Sequence, residues 1–295
     1  MLEELLQKLQ HTNKQTKIIY PDIHDQRMLR AIMQLQKQWE APVICWKKSE
    51  LTLYCDFIAA WWEYFEVPDE EDNVVVAAQN LTQGQVDWFV GWNISATSDV
   101  VRALIKNVWS LDWISRISSH FLMWKDEEIL LFSDAWIQVD PTSEQLSEIW
   151  YLTAISAIKY GIQPRIAMLS FSTAGSWWDY HSAVKVREAA KILQERLKRE
   201  KREDIIVEGE IQFDAAFVPE IWKRKNPKTN LLEPANVFIF PDLDSANIAY
   251  KITQRLAGYT AIGPIIQWLA KPANDLSRGC STEDIIAMHH ITKNQ

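Results

Sequence analysis

The chain has 295 residues, 47% hydrophobic and 24% charged, the balance of a soluble globular protein with length for one large domain or two ordinary ones. Its formal net charge of -8 argues against a general binder of nucleic acid or anionic membranes, since those partners favour a basic surface. Any anionic substrate must therefore be held by local cations. Cys45, Cys55 and Cys280 form no Cys-x-x-Cys pair and leave one over in any disulfide scheme, which reads as reduced thiols in a cytoplasmic protein. The six histidines lack zinc-ligand spacing, and the neighbours His289 and His290 would face different sides of a helix, so no metal is expected.

Met1 to Gln10, with Leu at 2, 5, 6 and 9, predicts an amphipathic helix rather than a secretory signal, and no apolar run approaches the ~20 residues that cross a bilayer. Thr16 to Tyr20 predicts a strand, Asp25 to Gln38 a helix and Ala41 to Cys45 a second strand, a βαβ unit. Strand-like Gln85 to Gly91 follows, then a helix from an N-cap at Thr97 through Val108. Ile114 to Met123 and Glu128 to Ala135 read as two strands joined around Lys125 and Asp126. Thr142 with Gln145 resembles a capping box for a helix that Gly161 can end. Strands at Arg165 to Phe171, Ile205 to Gly209 and Asn236 to Phe240 then alternate with helices at Ser182 to Arg199, Ala215 to Arg224 and Ser245 to Ala257. The alternation predicts an α/β fold with parallel-rich sheets.

KPANDLSRGCSTEDI, Lys271 to Ile285, gathers a hydroxyl (Ser277), a permanent cation (Arg278), a flexible glycine (Gly279) and a carboxylate (Asp284). Ser281 predicts an N-cap with Asp284 at the third helical position, and a loop feeding a helix N-terminus suits an anion. On spacing alone Asp284 is a capping residue or a general base, and Arg278 a loop partner of Asp275 or a site cation. Ser172, Thr173, Gly175 and Ser176 lie in a strand-to-helix loop, where backbone N–H groups can meet a phosphate or simply cap the helix.

KPANDLSRGCSTEDI, together with Ala235 to Gln267, IAMLSFSTAGS (Ile166 to Ser176) and GEIQFDAA (Gly209 to Ala216), resembles phosphotransacetylase, also called phosphate acetyltransferase. The blocks keep family order from about Val86 onward, and PDIHDQRMLRAI (Pro21 to Ile32) resembles the family's opening helix more loosely. The resemblance implies two α/β domains of the isocitrate/isopropylmalate dehydrogenase type with the active site in the cleft between them. Mapped by motif, one domain is 1–113 plus 267–295 and the other is 114–266. It implies reversible acetyl transfer between coenzyme A and inorganic phosphate through a ternary complex, with no covalent acyl-enzyme and no permanently bound cofactor. Asp284 then matches the general base, Ser277 the oxyanion-stabilising serine, Arg278 the adjacent arginine and Arg102 a second phosphate-holding arginine. Lys271 and Asn274 are site-wall candidates. Acetyl-CoA, phosphate and acetyl phosphate are the implied partners, and a homodimer the implied assembly. Phosphate butyryltransferase shares fold and chemistry and stands as the alternative. A catalytically silent relative, serving as subunit or metabolite-binding module, is the non-enzyme alternative. It is favoured by tryptophans that stand where the family has glycine and by a missing segment: between Trp46 and Val86 the family's Tyr-x-x-Arg-Lys segment has no counterpart, and Glu63 to Asp72 is acidic instead; the intact set Ser277, Arg278 and Asp284 opposes it.

Composition carries one oddity. The chain has 15 Trp and 8 Gly, whereas usage of ~7% predicts about 21 Gly. Asp87 to Trp92, the pair Trp109 and Trp113, Ser172 to Trp177 and Ile265 to Pro272 each carry Trp where the resembling family has Gly. Large aromatics fill cores, which suits Trp150, but the doublets Trp61-Trp62 and Trp177-Trp178 fall in loop-like contexts. The pattern is that of a UGA codon meaning glycine but written as tryptophan.

Overall fold

The computed structural model describes residues 16–21, 24–47, 49, 63–91, 97–108, 117–177, 179–277 and 279–295. The expected N-terminal helix at Met1 to Gln10, Arg278 and several of the tryptophans lie outside the described residues. The described residues divide into two compact units, one Ser118–Ala261 and the other those from Thr16 to Ile117 with Ile262–Gln295.

In the discontinuous unit, β1 (Lys17–Tyr20), β2 (Ala41–Lys47), β3 (Glu63–Val67), β4 (Trp88–Val90) and β11 (Ala273–Asn274) form a sheet ordered β11-β4-β1-β2-β3. Its strands pair in parallel. Ile18, Ile19, Val43 and Ile44 are fully buried, as expected for parallel strands covered on both faces. Helix α1 (Gln26–Lys37) starts where the Asp25 carboxylate accepts the Arg27 N–H, and its apolar stripe of Met28, Ala31, Ile32 and Leu35 faces inward. Helix α2 (Asn73–Thr82) is capped by Asp72, which accepts from Val74 and Val75. Helix α3 (Thr97–Asn107) packs on α2, and α9 (Thr282–Lys293) packs on α1 and β4.

The continuous unit holds a sheet ordered β10-β5-β6-β9-β7-β8. β5 (Ser118–Lys125) and β6 (Glu128–Ser133) are antiparallel, turning at Asp126 with φ 51°. β6, β9 (Val237–Ile239), β7 (Arg165–Leu169) and β8 (Ile206–Ile211) are parallel neighbours, and β10 (Thr260–Gln267) begins in this unit. Helices α4 (Ser143–Lys159) and α5 (His181–Glu200) pack on each other. One apolar cluster joins Phe121, Phe132, Trp222, Phe238 and Tyr250, with Phe132 edge-on to Phe238 at 5.6 Å.

The Thr142–Gln145 capping box is present, and Gly161 follows α4 at φ 74°. Three features differ from the sequence reading. β3 lies within Glu63 to Asp72, read only as acidic, and α2 follows it where no element was read. The single helix expected at Ala215 to Arg224 is two, α6 (Phe213–Phe217) and α7 (Pro219–Lys225), because Pro219 lacks an N–H and starts a new helix at its first turn. β10 extends beyond any strand read from pattern. Helix α8 (Leu243–Leu256) is capped by Asp242.

Candidate active site

β11 lies parallel to β4, and the Gly91 N–H donates to Asn274 O at 2.8 Å. A Cβ at Gly91 would stand 2.9 Å from Phe89 and 3.3 Å from the Asp275 carboxylate, so a side chain there would push the two segments apart. Asn274 is fully buried. Its Oδ1 accepts the Ile266 N–H at 2.8 Å, and its Nδ2 donates to Thr292 Oγ1 at 2.7 Å and Gln295 Oε1 at 2.6 Å. Lys271 donates from Nζ to Leu81 O at 2.7 Å, closing a carbonyl in the last turn of α2. Both residues thus spend their polar atoms on the frame behind the loop.

Beyond Asn274 the loop turns, with the Cys280 N–H donating to Ser277 O at 3.1 Å, and Ser277 is half-buried. Arg27 buttresses the far side of that turn. Its Nη1 donates to Cys280 O at 2.7 Å, while Nε and Nη2 grip the Asp25 carboxylate at 3.1 and 2.8 Å. The Cys280 thiol is pushed up to about 12 by burial, then by the charge of Asp284, so it stays protonated at neutral pH.

Ser281 caps α9 through the reciprocal bonds its sequence predicts. The Asp284 N–H donates to Ser281 Oγ at 3.1 Å, and the Ser281 N–H donates to Asp284 Oδ2 at 2.8 Å. Capping does not exhaust the carboxylate, since no donor among the described residues takes Oδ1. Burial raises the pKa of Asp284, partly offset by the two Ser281 interactions, and the neighbouring Glu283 adds to the rise. A half-buried carboxylate with a raised pKa is a better proton acceptor than a solvated one, which is the chemistry a general base needs. Arg102 is an exposed residue of α3 and belongs to the same unit as Ser277 and Asp284.

The second candidate loop, Ser172 to Ser176, follows β7 in the other unit. Its amides are taken inside the protein. Ser172 N–H donates to Ser170 Oγ, Thr173 N–H to Ser176 Oγ, and Ser176 N–H to Thr173 O, at 3.0 to 3.1 Å. Ala174 and Gly175 donate to the backbone oxygen and carboxylate of Glu210, each at 3.3 Å. Ser172 and Thr173 are buried, which leaves the exposed Ser176 and half-buried Gly175 as the outward part of the loop. The organising residue is Glu210, which sequence reading passed over inside the GEIQFDAA block. Its side chain is 1% exposed, accepts the Ser172 hydroxyl, and accepts Arg187 Nε at 2.7 Å. A carboxylate inside a buried parallel strand was the available signal.

Among the described residues one group has metal-ligating donors, Glu40, His289 and His290, with atoms within 4.8 Å of one another. The two histidines do not diverge as the helix period suggests, because Glu40 at the end of α1 sits where both rings reach it. Lys293 Nζ lies 2.9 Å from each Glu40 oxygen, and Tyr20 meets His289 Nδ1 at 2.6 Å. The cation that neutralises Glu40 here is the lysine.

A family model described as Phosphate acetyl/butaryl transferase matches residues 67–293. The chain belongs to this family. Its relatives include a phosphate acetyltransferase of Staphylococcus epidermidis, 34% identical over 327 residues and covering 100% of this chain and 99% of the relative. One of Staphylococcus aureus is 35% identical, covering 100% and 98%. Among solved structures, a phosphotransacetylase from Streptococcus pyogenes superposes with a TM-score of 0.88 at 35% identity, covering 100% of this chain and 98% of that one. A branched-chain phosphotransacylase from Enterococcus faecalis, at 19% identity and TM-score 0.73 over 95% and 98% of the chains, shares the fold. So does a putative 4-hydroxythreonine-4-phosphate dehydrogenase from Salmonella typhimurium, at 11% identity and TM-score 0.59 over 96% and 100%. The 327 aligned positions exceed this chain's 295 residues by 32, so the Staphylococcus epidermidis member of the family carries residues that have no counterpart here. No helix among the described residues is long and apolar enough to cross a membrane.

Proposed function

We propose that this chain is a phosphate acetyltransferase that moves an acetyl group between coenzyme A and inorganic phosphate. The carrying observation is 34–35% identity along the whole chain to proteins named phosphate acetyltransferase. The branched-chain relative, at 19% identity, lends fold only, so acetyl is chosen over larger acyl groups.

In the direction of thioester synthesis, Asp284 takes the proton of the coenzyme A thiol, and the sulfur lone pair attacks the carbonyl carbon of acetyl phosphate. The carbonyl electrons move onto oxygen, where Ser277 and Arg278 stabilise the charge. That attack forms the C–S bond; collapse then restores the carbonyl and breaks the C–O bond to phosphate, which leaves with the bonding electrons and whose charge Arg102 holds. Orientation of both substrates in one complex supplies much of the acceleration, and neither a covalent acyl-enzyme nor a resident cofactor is required. Lys271 and Asn274 serve as frame. Ser176 and Gly175 are the outward members of the second loop, and Ser172 and Thr173 shape it from within.

The assembly is a homodimer in the cytoplasm. Ile248, Ile252 and Leu256 form an exposed i, i+4, i+8 stripe along α8 that a second copy would cover, and Cys45 and Cys280 are free and buried, in keeping with a reducing compartment. Thiol release from acetyl-CoA, followed with and without phosphate, tests the reaction. Release that needs phosphate and falls by about 10²-fold or more in Asp284→Asn is expected. Release indifferent to phosphate would sink the reading.

A further inference from the structure

Trp39 follows α1 with φ 63°, and Trp268 follows β10 with φ 67°. In that left-handed region a Cβ crowds the following carbonyl, and a bulky aromatic is a genuine outlier. At Trp39 the reason for the conformation is visible. Its N–H donates to Gln36 O at 3.0 Å, and the Glu40 N–H donates to Leu35 O at 3.1 Å, the paired bonds of a Schellman motif.

Among the described residues the same pair of bonds ends three other helices, two at glycine and one at Lys201. After α2, Gly84 donates to Leu81 O and Gln85 to Asn80 O; after α4, Gly161 donates to Ile158 O and Ile162 to Ala157 O. At both, the left-handed residue is glycine, with φ 76° and 74°. Lys201 takes the corresponding place after α5 at φ 55°, so the position admits an unbranched polar side chain. Trp39 differs in size and in surroundings, because it is 92% exposed and its indole gains no packing in return for the strain.

We infer that positions 39 and 268 are glycine in the cell, encoded by UGA triplets that the source organism decodes as glycine. Composition extends the inference to the rest of the set. Adding the 15 tryptophans to the 8 glycines gives 23, against about 21 expected at ~7% usage. Trp150 and Trp222 are buried, and the Trp222 indole donates to Thr229 Oγ1 at 2.8 Å, so those positions carry no weight here. Trp268 stands three residues before Lys271, at a left-handed position in the link from β10 to β11, a backbone conformation that glycine adopts without strain. The inference stands independently of the reaction proposed above.

Two measurements test it. The gene should read UGA at codons 39 and 268, and UGG at either overturns the inference. In the chain as written, Trp39→Gly and Trp39→Ala remove the same exposed indole and differ only in tolerance of the left-handed backbone. The glycine variant should unfold about 2 °C or more above the alanine variant. A midpoint equal to or below that of Trp39→Ala overturns the claim that this backbone is built for glycine.

Discussion

Asp284 gives one carboxylate oxygen to the Ser281 N–H, so Asp284→Asn keeps an acceptor for the helix cap and removes the group that can take a proton. Its folded stability should stay within about 1 kcal/mol of the parent by urea denaturation, while turnover falls about 10²- to 10⁴-fold. The pH profile carries the sharper expectation. Burial raises the Asp284 pKa, and the base must be ionised, so activity should be lost as pH falls through a value above the ordinary carboxylate range of ~3.9. An acid limb at or below that range, in the substrate-free profile, would remove Asp284 from the role. The cap that Asp284 makes was legible because Ser281 to Asp284 is a sequence-local spacing. Asn274 and Lys271 stood out as site-wall candidates, but their framing bonds were not legible, because their partners Thr292, Gln295 and Leu81 are brought near only by the fold.

The loop after β7 and the strand β8 behave as one element through Glu210. Glu210→Gln preserves shape, but its amide would set N–H donors against Arg187 Nε or against the Ser172 hydroxyl and Gly175 N–H, which now share the other oxygen. The expected cost is about 1–3 kcal/mol by urea denaturation, with faster amide hydrogen exchange confined first to residues 172–177. Unchanged protection at Gly175 would show that the carboxylate does not hold the loop. Elements such as α4 and α9 were readable because their caps are sequence-local. β3 and α2 were not. β3 is an exposed edge strand whose glutamates leave it no buried alternation, and α2 begins Asn-Val-Val-Val, a β-branched run that its Asp72 cap and its burial against the sheet turn into helix. Likewise Pro219 marks a break whose far side, α7, is held by burial of Trp222 rather than by any local signal.

At the scale of the molecule, the proposed dimer through the α8 stripe predicts that the parent chain runs as a dimer by light scattering and Ile252→Glu as a monomer; a monomeric parent would remove the dimer. A dimeric Ile252→Glu would put the contact elsewhere. A second expectation concerns both compact units, because each buries histidine in its neutral form. Burial lowers His120 to about 3, beside Tyr160 in one unit, and His290 to about 4, beside Glu40 and His289 in the other. Each folded-state pKa lies below the unfolded value of ~6.5, so between the two the unfolded chain holds more protons and acid favours unfolding. Stability from each is therefore full above pH ~6.5 and declines by about 1.4 kcal/mol per pH unit below it. Glu40, whose pKa falls to about 2 because the His289 and Lys293 contacts outweigh the opposing cost of burial, adds a second loss of the same sign, beginning only below the ordinary carboxylate pKa of ~4.3. The unfolding free energy should thus decline from pH 7 to 5, before carboxylates protonate, and His120→Asn should flatten that decline in the unit that contains it. A pH-independent stability across that interval would mean that these imidazoles titrate alike in both states, and that their burial is not what shapes the acid response.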